Sequence, residues 1–600
     1  MRVFVDRRLC RWVTDVKIST SGAMLVIISM IIAGFINFVL WSIPNRSVFV
    51  EEPPGGKFKS VSFGPFRNNQ SPLALVYPTA EQIEEDIKII RKQTDGVRTY
   101  TSLEGLENVP ALARKYGLKV IMGAWLSNIT TDNERDVQSV IALANAYPDV
   151  ITRVIVGNET LLRGELKPQQ IATYLRRVRN AIRQPVSYAD VWENWLKHPY
   201  LAGEVDFVTI HLLPYWEDAY SGVNQATISI LRAYRQISDR FPDKPILIGE
   251  AGWPTAGRTR GPATPSRVNK ARFDSLFVRL AADHGFDYNL IEAFDQKWKI
   301  KQEGTVGGRW GLYDADRQPK FEFGTPIVEN PAWWKQFLLS FSLAAVVTAG
   351  VAVFGLPLPS TGLAAVAILS QGLAAGWVLA LGRALDLPYF LHDVFFAFFM
   401  LTLQTVASAG MIAATISFWT TAPPPARDAY GIILVADYPW FARIGRLAMK
   451  VLLMIAVIWS ALLIFDGRYR DFPLPAYAAP AFGVLALGVF RLLSCSSGCR
   501  LCEAFAFAGL FERDIPSAPQ TSAPARSWLE VAKRRPLESR LALALIAMAV
   551  GVIVREGLVN TEATLWSATQ VILALPLIAT VVCDRTETAE NPDFSLYRQI

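Results

Sequence analysis

The sequence predicts an α/β protein, a (β/α)8 TIM barrel, joined to an all-α polytopic membrane domain. Three observations predict it. Between Lys59 and about Pro331, eight short apolar runs alternate with helical patterns. Beyond about residue 336 the apolar runs become long enough to cross a bilayer. One more such run, Ala23–Trp41, follows a basic flank near the amino terminus.

The chain's 600 residues exceed one domain, and 51% of them are hydrophobic, more than a soluble protein needs. The net charge of +7 is explained by bases gathered beside membrane spans, so nucleic acid is excluded as a partner. The five cysteines, Cys10, Cys495, Cys499, Cys502 and Cys583, all fall outside residues 43–335. The barrel segment can therefore hold no internal disulfide and must be stable through its own core.

Residues 1–22 carry Arg2, Arg7, Arg8, Arg11 and Lys17, and form an expected cytoplasmic terminus. The apolar run that follows is long for a signal peptide and has no small-x-small cleavage site. It predicts an uncleaved transmembrane signal anchor, 23–42, that leaves the next domain outside the cytoplasm. A Pro/Gly linker occupies 43–57, and the barrel is expected over 58–335. Strands are predicted at 59–64, 96–101, 119–125, 151–158, 185–190, 205–211, 245–251 and 287–294. Helical patterns fill 80–93, 132–147, 167–183, 221–240 and 264–284; the first opens on a capping box, with Thr79 as cap and Gln82 three positions on. A doubly wound open sheet is the alternative, but no Gly-rich phosphate turn follows the first strand.

The membrane domain, 336–583, should hold about seven spans: 336–355, 361–382, 391–418, 447–465, 474–493, 541–555 and 563–583. With the anchor these make eight, and the tail 584–600 returns to the cytoplasm. The basic loops at 419–446 and 494–540 agree with cytoplasmic placement; Arg468 and Arg470, on the outer side, do not. Cys495, Cys499 and Cys502 are expected to be free or lipid-modified thiols. His392 is an ionisable group near a span end.

The chemistry lies in two strand ends. Ile246-Leu-Ile-Gly-Glu-Ala-Gly-Trp-Pro254 and Ile151-Thr-Arg-Val-Ile-Val-Gly-Asn-Glu159 are apolar runs that stop at a glutamate. A run of this kind is a strand buried on both faces, and its carboxyl end is where barrels place catalytic groups. Cleaving a glycosidic bond needs one carboxyl group as acid and, in a retaining enzyme, a second as nucleophile about 5–5.5 Å away. Glu159 is the expected acid/base, its pKa raised by ionised Glu250, and Glu250 the nucleophile. Asn158 is expected to hold the sugar 2-hydroxyl, and Arg98 and Tyr100 to bind near the cleavage point. Trp125, Trp192, Trp195, Tyr215, Trp216, Trp253, Trp298 and Trp310 mostly follow strands, where aromatic rings would stack on sugar faces. Of these, Trp125, Tyr215, Trp253, Trp298 and Trp310 are the principal substrate-binding candidates. His211 is left out of the chemistry. No metal or cofactor is expected.

Val156-Gly-Asn-Glu159 and Gly249-Glu-Ala-Gly-Trp-Pro254 resemble the two signatures of glycoside hydrolase family 17, the β-1,3-glucan-active barrels. Val97-Arg-Thr-Tyr100, Tyr215, Phe294-Asp-Gln-Lys-Trp298 and Trp310-Gly-Leu-Tyr313 add to the likeness, which covers about half the chain. Gln296 departs from it, standing where the family usually has a second acid and so removing the usual polar support of the nucleophile. Fused to spans, such a barrel is similar to bacterial membrane proteins called β-(1→6)-glucan synthases, implicated in cyclic β-(1,3),(1,6)-glucan formation. A nucleotide-sugar synthase would need a large cytoplasmic metal-binding domain. The acidic pair Asp314 and Asp316 instead lies in the barrel's tail.

Transfer from the covalent glycosyl-Glu250 intermediate to a sugar hydroxyl is expected instead, by a transglycosylase in the cell inner membrane with its barrel in the periplasm. It would act on β-1,3-glucan and form β-1,6 links, with a glucan synthase as a possible partner. An endo-β-1,3-glucanase and a non-catalytic glucan-binding export or assembly protein are the alternatives.

Overall fold

The computed structural model describes residues 20–353, 358–386, 390–419, 439–494, 501–505 and 536–590. These divide into two compact units, one of which comprises Ser47–Glu329 together with Tyr469–Asp471.

That unit is a closed barrel of eight parallel strands. In chain order they are β1 (Val61–Ser62), β2 (Gly96–Arg98), β3 (Lys119–Ala124), β4 (Ile151–Asn158), β5 (Val186–Val191), β6 (Val208–Leu212), β7 (Ile246–Ala251) and β8 (Asp287–Leu290). β8 returns to β1 through Leu290 and Val61. A two-residue antiparallel ribbon pairs Val48–Phe49 with Pro326–Ile327.

All eight strands fall inside the predicted runs or within a residue of them. β2 and β8 stop short of the predictions. Tyr100 lies past the end of β2, and Phe294 and Asp295 turn from β8 to Tyr313, through a parallel bridge at Phe294 and an Asp295 N–H donated to the Tyr313 carbonyl at 3.0 Å. The capping box at Thr79 and Gln82 is present, opening the helix Ala80–Ile90. Three short helices were not predicted: Val109–Tyr116, Trp192–Lys197 and Ile300–Gly307. At eight residues or fewer they carry too little periodicity to be seen.

The main hydrophobic core lies between strands and helices, with Val120, Met122, Val154, Val156 and Ile248 packed against residues such as Ile83, Val137 and Ile171. A separate cluster of Ile121, Ile155, Ala189, Phe207 and Leu247 fills the barrel interior. Two residues further along these strands stand Gly123, Gly157, Val191, Thr209 and Gly249. The carboxyl end is open to solvent at Glu159, whose side chain is 24% exposed. A Cβ at Gly249 would press on Thr209, with Arg98 Nη1 at 3.2 Å and His211 Cδ2 at 3.3 Å. The space those two side chains occupy exists because residue 249 has none.

Among its described residues the other unit contains eight helices long and apolar enough to cross a membrane: Thr20–Ser42, Trp333–Val353, Ser360–Asp386, Leu391–Trp419, Ile444–Asp466, Leu474–Ser494, Pro536–Glu556 and Thr561–Val582. They overlap the predicted spans one for one, and the run predicted at 541–555 gains a turn at its start. Large side chains such as Ile27, Ile31, Phe35, Phe395, Phe399, Val550 and Val554 face outward. Faces of this kind suit hydrocarbon rather than water. Asn37, on the first helix, donates to Ser340 Oγ and Gln371 Oε1, both at 3.0 Å. The first helix is thus packed into the bundle by hydrogen bonds and does not stand apart as a simple anchor. His392 is exposed in the first turn of its helix, 3.3 Å from Asp393. The predicted cytoplasmic terminus up to residue 19, most of both basic loops, the thiol cluster through Cys495 and Cys499, and residues 591–600 lie outside the described residues.

Asp136 links the loops after β2 and β3. It is buried and accepts from Thr101 Oγ1 at 2.6 Å, Ser102 N at 2.9 Å, Ser102 Oγ at 2.5 Å and Trp125 N at 2.8 Å. Asp136→Ala should destabilise the barrel by about 3 kcal/mol, because it leaves buried donors unpaired. A thermal melt of the detergent-solubilised chain, followed by near-ultraviolet circular dichroism, should show the barrel transition several degrees lower. An unmoved transition would refute this role.

Candidate active site

Glu159 and Glu250 meet at the carboxyl end of the barrel, with His211 between them. His211 Nδ1 lies 2.7 Å from Glu159 Oε1, and its Nε2 lies 3.6 Å from Glu250 Oε1. One carboxylate oxygen of each glutamate and a ring nitrogen of His211 all fall within 4.8 Å of one another. Register brings this about: His211 on β6 is directly paired with Glu250 on β7.

Glu159 follows a tight turn at the end of β4. Gly157 has φ +88°, and Glu159 itself has φ +52°. Left-handed backbone is costly for a residue with a side chain, and it aims the carboxylate off the strand line. Arg163 secures the turn by donating to the carbonyls of Asn158 and Leu126. Its guanidinium also covers one face of Trp125, 4.1 Å from the ring centre.

Arg98, 1% exposed, is the cation of the site. Its Nη1 donates to the Gly249 carbonyl at 2.7 Å and lies 3.3 Å from His211 Nε2 and 3.5 Å from Glu250 Oε1. Its Nη2 donates to Asn158 Oδ1 at 2.6 Å. A guanidinium can only donate, so Nε2 of His211 is the acceptor and Nδ1 carries the proton toward Glu159. By the same logic the Asn158 side chain gives its oxygen to Arg98 and keeps its amide hydrogens for another acceptor.

Tyr100 Oη lies 2.9 Å from both Glu250 Oε1 and Ser62 Oγ. Asn289 Nδ2 donates to Ser62 Oγ at 2.8 Å, leaving the serine proton for Tyr100 and the tyrosine proton for Glu250. Burial, and then the Glu250 charge, push the Tyr100 pKa well above its ordinary value, so it stays a donor.

The structure corrects the expected state of Glu159. Burial does push its pKa up, but the His211 hydrogen bond and the nearby cations Arg163 and Arg98 outweigh burial and hold it below the ordinary carboxylate value. The like charge of Glu250 would raise this pKa; the His211 contact reverses the direction. The signal for His211 was its position at the end of β6, level with the two glutamates.

The aromatic candidates divide. Trp125 is 38% exposed, and Trp298, Trp192 and Trp216 are half-buried at the carboxyl end. Tyr215, Trp253, Trp310 and Trp195 are buried core residues. Tyr215 packs edge-on against Trp253 and Trp310, with centroids 6.3 and 6.1 Å away. Trp253 Nε1 donates to the Thr264 carbonyl and Tyr215 Oη to the Arg258 carbonyl. In this arrangement Tyr215, Trp253 and Trp310 form a floor under the site and offer no face to a sugar. A residue placed just after a strand can fold inward as readily as outward, which sequence position alone does not reveal.

Gln296 has a role that a carboxylate could not fill. Its Nε2 donates to the carbonyls of Gly64 and Phe294, and its Oε1 accepts from Trp298 Nε1 at 2.9 Å. The nucleophile candidate is supported instead by Tyr100 and Arg98. Asp314 Oδ1 accepts from the backbone of Asp316 and Gln318, and Asp316 Oδ1 from Asn68, so this pair is spent on a turn.

Among the described residues, Glu159, His211 and Glu250 are the one group whose ligand atoms are close enough to share a metal ion. Arg98 stands against both Glu250 and His211 Nε2, and a fixed guanidinium there opposes a second cation. Two carboxyl groups at this separation, one hydrogen-bonded to an imidazole and one to a tyrosine, suit acid–base and nucleophilic work on a neutral organic substrate.

Residues 60–311 match the family described as the BtgE/BtgC glycoside hydrolase domain. A glucan 1,3-beta-glucosidase of Arthroderma benhamiae is 27% identical over 257 residues, 40% of this chain and 82% of that protein. A probable glucan endo-1,3-beta-glucosidase btgC of Aspergillus clavatus is 29% identical over 284 residues, 42% of this chain and 40% of that protein. This chain thus covers well under half of the btgC relative's length. A solved glycoside hydrolase family 17 beta-1,3-glucanosyltransferase of Rhizomucor miehei is 24% identical, with 44% of this chain and 95% of that chain covered and a TM-score of 0.39. Residues 60–311, in the N-terminal half, are thus similar to glycoside hydrolase domains.

The Glu159–His211 contact has a consequence for pH. A general acid works in its protonated form, so kcat/KM falls as pH rises through its free-enzyme pKa. His211 stabilises the ionised form and holds that pKa down. His211→Ala should raise it and move the alkaline limb of the kcat/KM profile to higher pH, with a rate loss of about 10- to 100-fold. A limb that stays in place or moves to lower pH would contradict the assignment.

Proposed function

We propose that this chain is a membrane-anchored, retaining β-glucan transglycosylase that acts on β-1,3-glucan and forms β-1,6 linkages. The observation that carries the reading is the approach of Glu159 and Glu250 to within 4.8 Å, oxygen to oxygen, at the open end of the barrel. That separation belongs to double displacement; an inverting pair leaves room for a water at about 6.5–9.5 Å.

In the first step Glu250 attacks the anomeric carbon while Glu159 gives its proton to the departing glycosidic oxygen. The products are a glycosyl ester on Glu250 and a shortened glucan. In the second step Glu159, now ionised, takes the proton of an incoming hydroxyl; that oxygen bonds to the anomeric carbon and the Glu250 carboxylate leaves. The His211 hydrogen bond favours the ionised form that this step requires. Arg98 and Tyr100 hold Glu250 in position by hydrogen bonds. The free amide hydrogens of Asn158 are offered to the sugar 2-hydroxyl, a contact that strengthens in the transition state. A glucan hydroxyl held in acceptor subsites outcompetes water through its effective concentration.

The names of the two curated relatives support β-1,3-glucan as the substrate. The β-1,6 linkage rests on the resemblance to membrane-fused family 17 barrels. Our reading places the barrel, 58–335, in the periplasm behind the basic amino-terminal flank, and the domain 336–583 in the inner membrane as a multi-pass anchor. A glucan synthase there is a candidate partner. The relatives' names equally favour a second reading, a retaining endo-β-1,3-glucanase.

Product analysis separates the two. The purified chain in detergent, incubated with a linear β-1,3-gluco-oligosaccharide, should yield products longer than the substrate, with 6-linked branches visible by methylation analysis. Shorter products alone would establish the hydrolase. Glu250→Gln should lower turnover by at least about 10³-fold while glucan binding persists. Full glucan synthesis in cells carrying that variant would make the barrel a binding module. With an activated aryl glucoside, Glu159→Ala should be rescued by azide as the β-glycosyl azide; an α-product would mean inversion.

A further inference from the structure

Three residues far along the chain, Tyr469–Asp471, belong to the same compact unit as the barrel. In sequence they stand between the helices Pro439–Asp466 and Leu474–Ser494. The loops after β6, β7 and β8 all meet them. Trp216, four residues past β6, packs edge-on against Tyr469, with ring centres 5.8 Å apart at 70°. Arg258, past β7, donates Nη1 to the Arg470 carbonyl at 2.6 Å. Gly304, past β8, has φ +71°, and a Cβ there would collide with the Tyr469 carbonyl. These contacts place Tyr469 over the carboxyl end of the barrel, on the β6–β8 side.

The surface they form is aromatic and fixed. Tyr469 is 45% exposed and Tyr220 is 42% exposed. Arg260, itself buried, lies 5.1 Å from the Trp216 ring centre and 4.5 Å from that of Tyr220. It donates to Tyr220 Oη at 3.2 Å and to the Tyr215 carbonyl at 3.0 Å. Tyr215 packs on Trp216 at 4.9 Å and on Trp253, three residues from Glu250, so the patch is continuous with the floor of the site. Glu217 adds a carboxyl group at the rim, its pKa pushed by burial up to about 6, and accepts from Trp192 Nε1 at 3.2 Å.

We infer that Tyr469 and Trp216, with Tyr220 beside them, form an outlying subsite that takes a ring of a β-glucan chain away from the cleavage point. Rigid aromatic rings with polar tips match a sugar ring, which has a C–H face and a hydroxyl edge. The inference rests on the glucan-active reading and adds a residue from outside the barrel sequence to its substrate site. Nothing in the sequence near residue 469 signals it.

The test is chain-length discrimination by the full-length protein in detergent. For wild type, kcat/KM should be higher for a β-1,3-linked heptasaccharide than for the trisaccharide. Tyr469→Ala should cut that ratio by about 5- to 20-fold, chiefly through the KM of the longer substrate, as loss of a remote binding contact does. Tyr469→Phe should preserve the ratio, and Tyr200→Ala, which removes an exposed tyrosine elsewhere on the barrel, should leave it unchanged. Gly304→Ala, which displaces the loop without altering its side chain, should reproduce the loss. Tyr469→Ala with a wild-type ratio and an intact gel-filtration profile would overturn the inference. If wild type binds glucan without turning it over, the catalytic reading fails and this one is judged by calorimetry: the ratio of Kd values for the two oligosaccharides should fall in Tyr469→Ala, and an unchanged ratio would overturn it.

Discussion

The site depends on one buried cation. Arg98, on β2, touches groups from three other strands: Asn158 on β4, His211 on β6, and both Gly249 and Glu250 on β7. A guanidinium in this position is costly to desolvate, and the structure compensates it with a backbone carbonyl, an amide oxygen, an imidazole nitrogen and a carboxylate. Each of these contacts also orients a group that faces the substrate position. Because the donor geometry of a guanidinium is planar and rigid, it determines the His211 tautomer and the Asn158 amide orientation together. Lysine, with a compact and rotatable ammonium, would determine neither.

The two carboxyl groups are consequently unlike. Glu250 is enclosed by donors from Arg98 and Tyr100, which orient it as a nucleophile. Glu159 sits on a strained turn with a quarter of its side chain exposed and an imidazole N–H against it. The resting site favours the ionised form of Glu159, which suits it for the base half of a double displacement. The acid half needs a proton, and the neighbouring imidazole makes its availability a function of pH. Proton control through His211 is the feature that a two-glutamate description omits.

The two halves of the chain solve the burial problem differently. The barrel encloses its apolar residues between sheet and helices and keeps its polar groups for the open end. The helical unit turns large apolar residues outward and spends polar side chains inward, as in the Asn37, Ser340 and Gln371 contacts and in Ser460 with Gln570 at 3.1 Å. Inward polar groups hold helices together where the surroundings offer no water. The residues Tyr469–Asp471 are the exception, since they lie between apolar helices in sequence and against the barrel loops in space.

The eight strands, the eight long apolar helices and the two glutamates were legible in the sequence because each is a local property. A run of apolar residues of a given length and period states its own environment, and a charge at its end marks where the strand leaves the core. The positions of Arg98, Tyr100 and Asn158 around the glutamates followed from the same strand-end logic. What only the tertiary structure decided depends on which strand ends converge. His211 became part of the site through β6–β7 register, and its hydrogen bond reversed the expected shift of Glu159. Trp253, Trp310 and Tyr215 turned out to be floor rather than platform because rings after a strand choose their side by packing with one another. Tyr469 entered the barrel unit from more than two hundred residues beyond Trp216, and no period or motif in one dimension records a contact made across that separation.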